Sequence, residues 1–108
     1  MSNEAEIEIE KEIQEKGLNA PRLTPDSVDA TIQKKQFHVF DASYLTVCCL
    51  TLTNGFTVVG ESACASPENF NKEIGENIAF DNARDKIWPL EGYLLKEKLY
   101  QDSLIDPA

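Results

Sequence analysis

The sequence predicts an α+β protein: a small antiparallel β-sheet with an Asn-Gly hairpin, a short N-terminal helix, and a long C-terminal helix or helix pair kinked at a proline. Three observations carry this. Asn54-Gly55 stands between two apolar runs, the strongest short-range hairpin signal, because both residues accept positive φ. Thr24-Pro25-Asp26 supplies a capping hydroxyl, a first-turn proline and an acid beside the positive end of a helix. Further on, Ile74, Ile78, Ile87, Leu90, Leu94 and Leu99 recur at roughly helical spacing, with Pro89 inside the run.

Taken in chain order, residues 1–22 form an acidic N-terminal arm, in which Glu4, Glu6, Glu8, Glu10, Glu12 and Glu15 face only Lys11 and Lys16. Ile9 and Ile13, one helical turn apart, allow a short helix, whereas the Glu/Ile alternation from Glu6 to Glu10 allows a strand. The composition suits a mobile, solvating arm. The isoleucines suit one that docks on a partner or a second copy.

Residues 23–100 read as a single α+β domain, with residues 101–108 a fraying tail. A helix over 25–34 places Val28 and Ile32 on one face and ends near Lys34-Lys35, whose charges suit a helix C-terminus. Residues 36–64 are β. A two-residue Asn54-Gly55 turn sets Thr51 opposite Val58, Leu50 opposite Val59 and Val47 opposite Ser62. The near-continuous apolar content of this hairpin calls for cover on both faces. One short helix cannot supply that, which points to oligomerisation. Ser66-Pro67-Glu68 opens the C-terminal helical region, and Pro89 crowds the carbonyl of Asp85. The expectation is a kinked helix, or two helices meeting near Trp88-Pro89.

The 108 residues suffice for one domain, and 42% are apolar. Ten basic against 19 acidic groups give a net charge of −9. That balance disfavours direct nucleic-acid binding and attachment to an anionic membrane. No apolar run reaches the length of a spanning helix, and no basic-then-apolar leader opens the chain. A soluble cytosolic protein is expected. Cys48, Cys49 and Cys64 are odd in number and contain no C-x-x-C, so they are not a disulfide framework. No ligand spacing joins them to His38, the only histidine, and neither a metal nor a cofactor is expected. A Cys–His pair across the sheet is the one nucleophilic arrangement the composition allows. Nucleophile-elbow and phosphate-loop motifs are absent, and no catalytic residue is assigned.

Arg84-Asp85-Lys86 is an island of charge between apolar residues. It fits a solvated helical face. It also fits a guanidinium placed to grip an anion bidentately.

From about Leu23 to Leu99 the chain resembles a family of small tailed-phage proteins of unknown function. The residues concerned begin with Leu23-Thr24-Pro25, Leu45-Thr46-Val47-Cys48-Cys49-Leu50 and Asn54-Gly55-Phe56. They continue with Glu61-Ser62-Ala63-Cys64, Pro67-Glu68-Asn69-Phe70 and Glu73-Ile74-Gly75, and end in the most specific block, Lys86 to Leu95. That family is similar to the first-described Thoeris anti-defence proteins, sponges that hold an immune signalling nucleotide intact. The resemblance implies a sheet joined to long C-terminal helices. It implies dimers or higher multiples, a hexamer among them, in the cytoplasm of the infected bacterial host. Its implied ligands are glycocyclic ADP-ribose and cyclic oligonucleotides.

Such a ligand needs donors for its phosphates and flat surfaces for its bases. Arg84 and Lys86 supply charge, Asn69 an amide, Phe56 and Phe70 stacking faces, and Asp85 an acceptor for a ribose hydroxyl or adenine amine. Ser62 completes the expected ligand-binding set, in a pocket between subunits. Arg84→Ala is expected to abolish binding and leave the fold intact. The alternative function is an acidic protein-interaction inhibitor or DNA mimic that acts on a host protein through residues 1–20. Cleavage of the nucleotide is a third reading, without a general base or metal set to support it.

Overall fold

The computed structural model describes residues 3–105. Its elements are α1 (Asn3–Glu15), α2 (Pro25–Ala30), β1 (Ile32–Phe40), β2 (Leu45–Leu52), β3 (Thr57–Ser62), a 3-10 turn (Pro67–Asn69), α3 (Lys72–Asp85) and α4 (Ile87–Ser103). The α+β class holds: an antiparallel sheet in the order β1-β2-β3, an N-terminal helix and a bent C-terminal helical segment.

The acidic arm is helical through α1, not a strand. The expected capping of α2 is present, with Thr24 and Ser27 exchanging side-chain and backbone hydrogen bonds in a capping box. The helix is shorter than its periodicity suggests. It ends at Ala30, and Ile32 opens β1 opposite Leu52 instead of continuing the helical face. The Thr31 carbonyl accepts from Thr53 N–H at 2.9 Å, so the sheet takes the chain over at that point.

The hairpin is where expected, but its register differs by one residue. Leu50 pairs with Val58, Cys49 with Val59 and Thr46 with Ser62. The loop has three residues, not two. Gly55 N–H donates to the Leu52 carbonyl at 2.9 Å, and Leu52 N–H donates to Phe56 at 2.8 Å. Only Gly55 takes positive φ (89°); Asn54 does not, so the turn is the three-residue type closed by a left-handed glycine.

One face of the sheet carries the core. Thr46, Cys48, Leu50 and Leu52 alternate inward along β2, joined by Val58 and Gly60 of β3. Helix α3 covers this face at very short range. A Cβ on Gly60 would lie 2.1 Å from Ala83 N and 2.3 Å from the Ala79 carbonyl oxygen. Ala79 and Ala83 are therefore the buried apolar residues of α3, and Ile87 completes the core at the start of α4. The apolar series at helical spacing lies mostly outside the core: Ile74, Ile78, Leu90, Leu94 and Leu99 are 37–57% exposed, and of the six Ile87 alone is buried. A seam of glycine on alanine leaves no room for larger side chains.

The opposite sheet face, with Leu45, Val47 and Cys49 half-buried and Phe40 and Val59 exposed, has no helix packed on it among the described residues. The cover expected on both faces is present on one within a single chain.

Ser66-Pro67 opens only the 3-10 turn, and α3 starts at Lys72, where Asn71 Oδ1 caps Ile74 N–H at 3.0 Å. The helix pair meets at Lys86, three residues before Pro89, as the clash with the Asp85 carbonyl requires. Part of the tail expected to fray is ordered helix, since α4 runs through Ser103, and residues 106–108 lie outside the described residues. The radius of gyration is 17.6 Å, against about 13 Å for a compact domain of this length, because α4 carries the chain away from the sheet.

Candidate functional site

A cavity of about 140 Å³ opens where the start of β2, the end of β3 and the start of α3 converge. Each wall has a local cause. Tyr44 closes the β1–β2 connection, its N–H donating to the Phe40 carbonyl at 2.8 Å and its backbone held at φ 53°. A positive φ on an aromatic residue is costly and is tolerated only where surrounding structure imposes it. The Tyr44 ring lies 5.0 Å from the Phe70 ring, tilted by 39°. Phe70 is placed by the 3-10 turn, through its N–H to the Pro67 carbonyl at 3.1 Å. Asn69 sits beside it in the cavity lining, an exposed residue whose backbone N–H donates to the Ser66 carbonyl at 2.9 Å.

Deeper in, Thr46 and Ser62 face each other across the β2–β3 ladder. Thr46 is 1% exposed, and its hydroxyl finds no hydrogen-bond partner among the described residues. A buried, unpaired hydroxyl costs roughly 1–3 kcal/mol, a cost that a polar group reaching it would relieve. Gly75 keeps the roof open: a Cβ there would come within 3.0 Å of the Thr46 hydroxyl. Cys64 also lines the cavity, its thiol donating to the Ser66 carbonyl at 2.9 Å. The lining thus offers ring faces, hydroxyls and amides.

Of the ligand-binding residues expected from the sequence, Ser62, Asn69 and Phe70 come together here. Tyr44 and Thr46 were not anticipated, since Thr46 is hidden in the apolar run Leu45–Leu50. The other expected residues lie elsewhere. Phe56 is 55% exposed at the hairpin turn, where it joins Leu90, Tyr93 and Leu94 around a groove of about 520 Å³. Lys86 is exposed at the α3–α4 junction, and Asp85 is half-buried beside it.

Arg84 is nine residues from Gly75, about 14 Å along α3. It is buried, and its donors are already engaged. Nη1 gives a hydrogen bond to Glu6 Oε2 and Nε one to Asp29 Oδ1, both at 2.6 Å. The Glu6 hydrogen bond, outweighing burial, holds the guanidinium pKa above its usual value. Removing this side chain would leave Glu6 buried without a countercharge, so Arg84→Ala acts on the fold as well as on any ligand.

His38 is exposed on β1, and no group of three or more His, Cys, Asp or Glu side chains able to hold a metal occurs among the described residues. No described helix is long and apolar enough to cross a membrane.

These features define a small α+β domain with a small cavity at one end of its sheet. The chain is a phage protein: residues 23–99 match the model of the phage protein (N4 Gp49/phage Sf6 gene 66) family, and it belongs to that family. No curated protein and no solved structure matches it. Helix α1 lies outside the matched residues.

Proposed function

We propose that this phage protein binds a cyclic signalling nucleotide of host immunity and sequesters it uncleaved in the cytoplasm of the infected cell. The ligand class is glycocyclic ADP-ribose or a cyclic oligonucleotide. The observation that carries the reading is the cavity around Tyr44, Thr46, Ser62, Asn69 and Phe70. Two rings offer a stacking surface, and each base stacked on an aromatic is worth about 1–3 kcal/mol in single-strand binders. The hydroxyls of Thr46 and Ser62 and the amide of Asn69 match the donors and acceptors of a base edge. That the family is similar to the Thoeris anti-defence proteins is itself part of this proposal.

A cavity of about 140 Å³ takes one heterocycle, and the sugar-phosphate remainder lies outside it. A second copy is the natural cover. The uncovered sheet face and the exposed Tyr93, Leu94 and Tyr100 of α4 are the surfaces suited to it.

The test is retention with a mass readout. Protein is mixed with glycocyclic ADP-ribose isomers and cyclic di- and trinucleotides, washed, and heat-denatured. Near-stoichiometric recovery of one intact ligand is expected, with a loss of at least tenfold for Phe70→Ala. Recovery of an altered ligand would make the protein an enzyme. No retention by folded, multimeric protein would remove the nucleotide reading for this panel.

One observation favours a second reading. Glu4, Glu8, Glu12 and Glu15 are exposed along α1 and present a carboxylate row suited to an acidic inhibitor of a host nucleic-acid enzyme. Deleting residues 1–20 separates the two readings, since it cripples such an inhibitor and spares retention of a nucleotide.

A further inference from the structure

Helix α1 is anchored by charge more than by apolar packing. Ile7 and Ile9 are 64% and 53% exposed. Among the described residues, two long-range ion pairs tie the helix down. Arg22 grips Glu10 bidentately at 2.6 and 2.7 Å, and Arg84 holds Glu6. The second pair is the deep one, with side chains 5% and 3% exposed, whereas the other carboxylate on Arg84, that of Asp29, is 54% exposed. Beside the guanidinium lies a cavity of about 360 Å³ lined by Asp29, Ile32, Lys35, Phe80 and Arg84. Lys35 Nζ stands 4.9 Å from the Phe80 ring centroid, so a second cation and an aromatic face border the same space.

We propose that Arg84 and Lys35 form a phosphate-oxyanion site whose resting occupant is the Glu6 carboxylate, so that α1 is a strap which a phosphate or pyrophosphate group displaces. Carboxylate and phosphate oxygens make the same charge-assisted bonds to a guanidinium, so the two compete for one set of donors. The open cavity gives the incoming anion a route that does not first require α1 to leave. Asp29, being mostly in water, can turn away at little cost.

The tethered Glu6 acts at a millimolar effective concentration, which sets millimolar as the range in which a free anion competes. With Glu6 displaced, the partly exposed Arg22–Glu10 pair is the remaining long-range ion pair on a 13-residue acidic helix too short to persist by itself, so displacement reads out as loss of helix. The site is about 14 Å along α3 from the aromatic cavity and stands or falls separately from nucleotide sequestration.

The experiment is amide hydrogen exchange on the full chain, with inorganic pyrophosphate as probe and sodium chloride at matched ionic strength as control. Pyrophosphate at about 10 mM is expected to lower protection of the Ile7–Glu10 amides at least tenfold, while those of β2 stay protected. Glu6→Gln is expected to lose that protection without any ligand and to bind pyrophosphate at least fivefold more tightly. Should Glu6→Gln not fold, Lys35→Gln at an exposed position keeps the test: α1 stays latched and the pyrophosphate response falls severalfold. Equal effects of chloride and pyrophosphate, or α1 protection that pyrophosphate leaves unchanged, would overturn the proposal.

Discussion

Gly60→Ala is the sharpest test of how this fold holds its cavity together. The substitution adds one carbon, on the face of β3 against α3. Placed ideally, that carbon meets Ala83 N at 2.1 Å, the Ala79 carbonyl oxygen at 2.3 Å and Ala83 Cα at 2.7 Å. Ordinary contact begins near 3.4 Å, so α3 must retreat by more than an ångström, and the obstacle is backbone that cannot rotate aside. Such a retreat loosens Leu50, Val58 and Ile87 together, since a radial gap of about 0.5–1 Å forfeits a quarter to a half of each contact. We expect a cost of about 3 kcal/mol or more, at or above the top of the usual range for over-packing. With a urea slope of roughly 1.5 kcal/mol per molar, the unfolding midpoint falls by about 2 M. Gly55→Ala is the control. Its added carbon meets nothing within 4 Å, and its cost is only the left-handed φ of 89°, about 1–2 kcal/mol. Because the cavity lies between the end of β3 and the start of α3, Gly60→Ala should also weaken any ligand held there. A midpoint shift smaller than that of Gly55→Ala would refute the packing argument.

Two further outcomes follow from the titratable groups. The hydrogen bonds from Arg22, then that from Gln14, hold Glu10 at about 2 instead of 4.5. A depressed carboxylate stabilises the fold above its ordinary pKa and loses that contribution as pH falls from about 4.5 to about 2. The stability difference between wild type and Arg22→Gln, followed by chemical denaturation, should therefore shrink across that window; a constant difference would show that the pair adds nothing through Glu10. Burial pushes the Cys48 thiol up to about 11 from 9.0, so stability should decline as pH rises between those values, where the unfolded chain ionises first. At neutral pH, iodoacetamide should modify the half-buried Cys49 and Cys64 well before Cys48, and mass mapping of early labelling at Cys48 would contradict its burial.

The parts of the fold that local chemistry controls were legible. The Thr24 cap, the hairpin around Asn54-Gly55 and the break ahead of Pro89 each depend on residues within one turn of one another. The hairpin register was not, because Asn-Gly serves both the two-residue turn and the three-residue loop, and the choice shifts every cross-strand pair. The core face of α3 was missed for a related reason. Periodicity counts large apolar residues, yet the face that touches the sheet is the one with the smallest, and Gly60 on β3 is the complement that allows it. From sequence, Ala79 and Ala83 four apart were the available signal.

Arg84 shows how charge balance limits such reading. As one of ten cations in an acidic chain, within an island of charge, it reads from sequence alone as either a solvated side chain or a grip for an external anion. The same arithmetic points elsewhere. With 19 carboxylates to 10 cations, a guanidinium near the core is the group that the chain's own acids compete for. Glu6 and Asp29 reach it from 78 and 55 residues away, separations that no local pattern encodes. An external anion must therefore contend with carboxylates already in place, and of the two only Glu6 is carried on an element with little else to hold it. The acidity that argues against phosphate binding at long range thus becomes, at this one position, the means by which binding can be coupled to the movement of a helix.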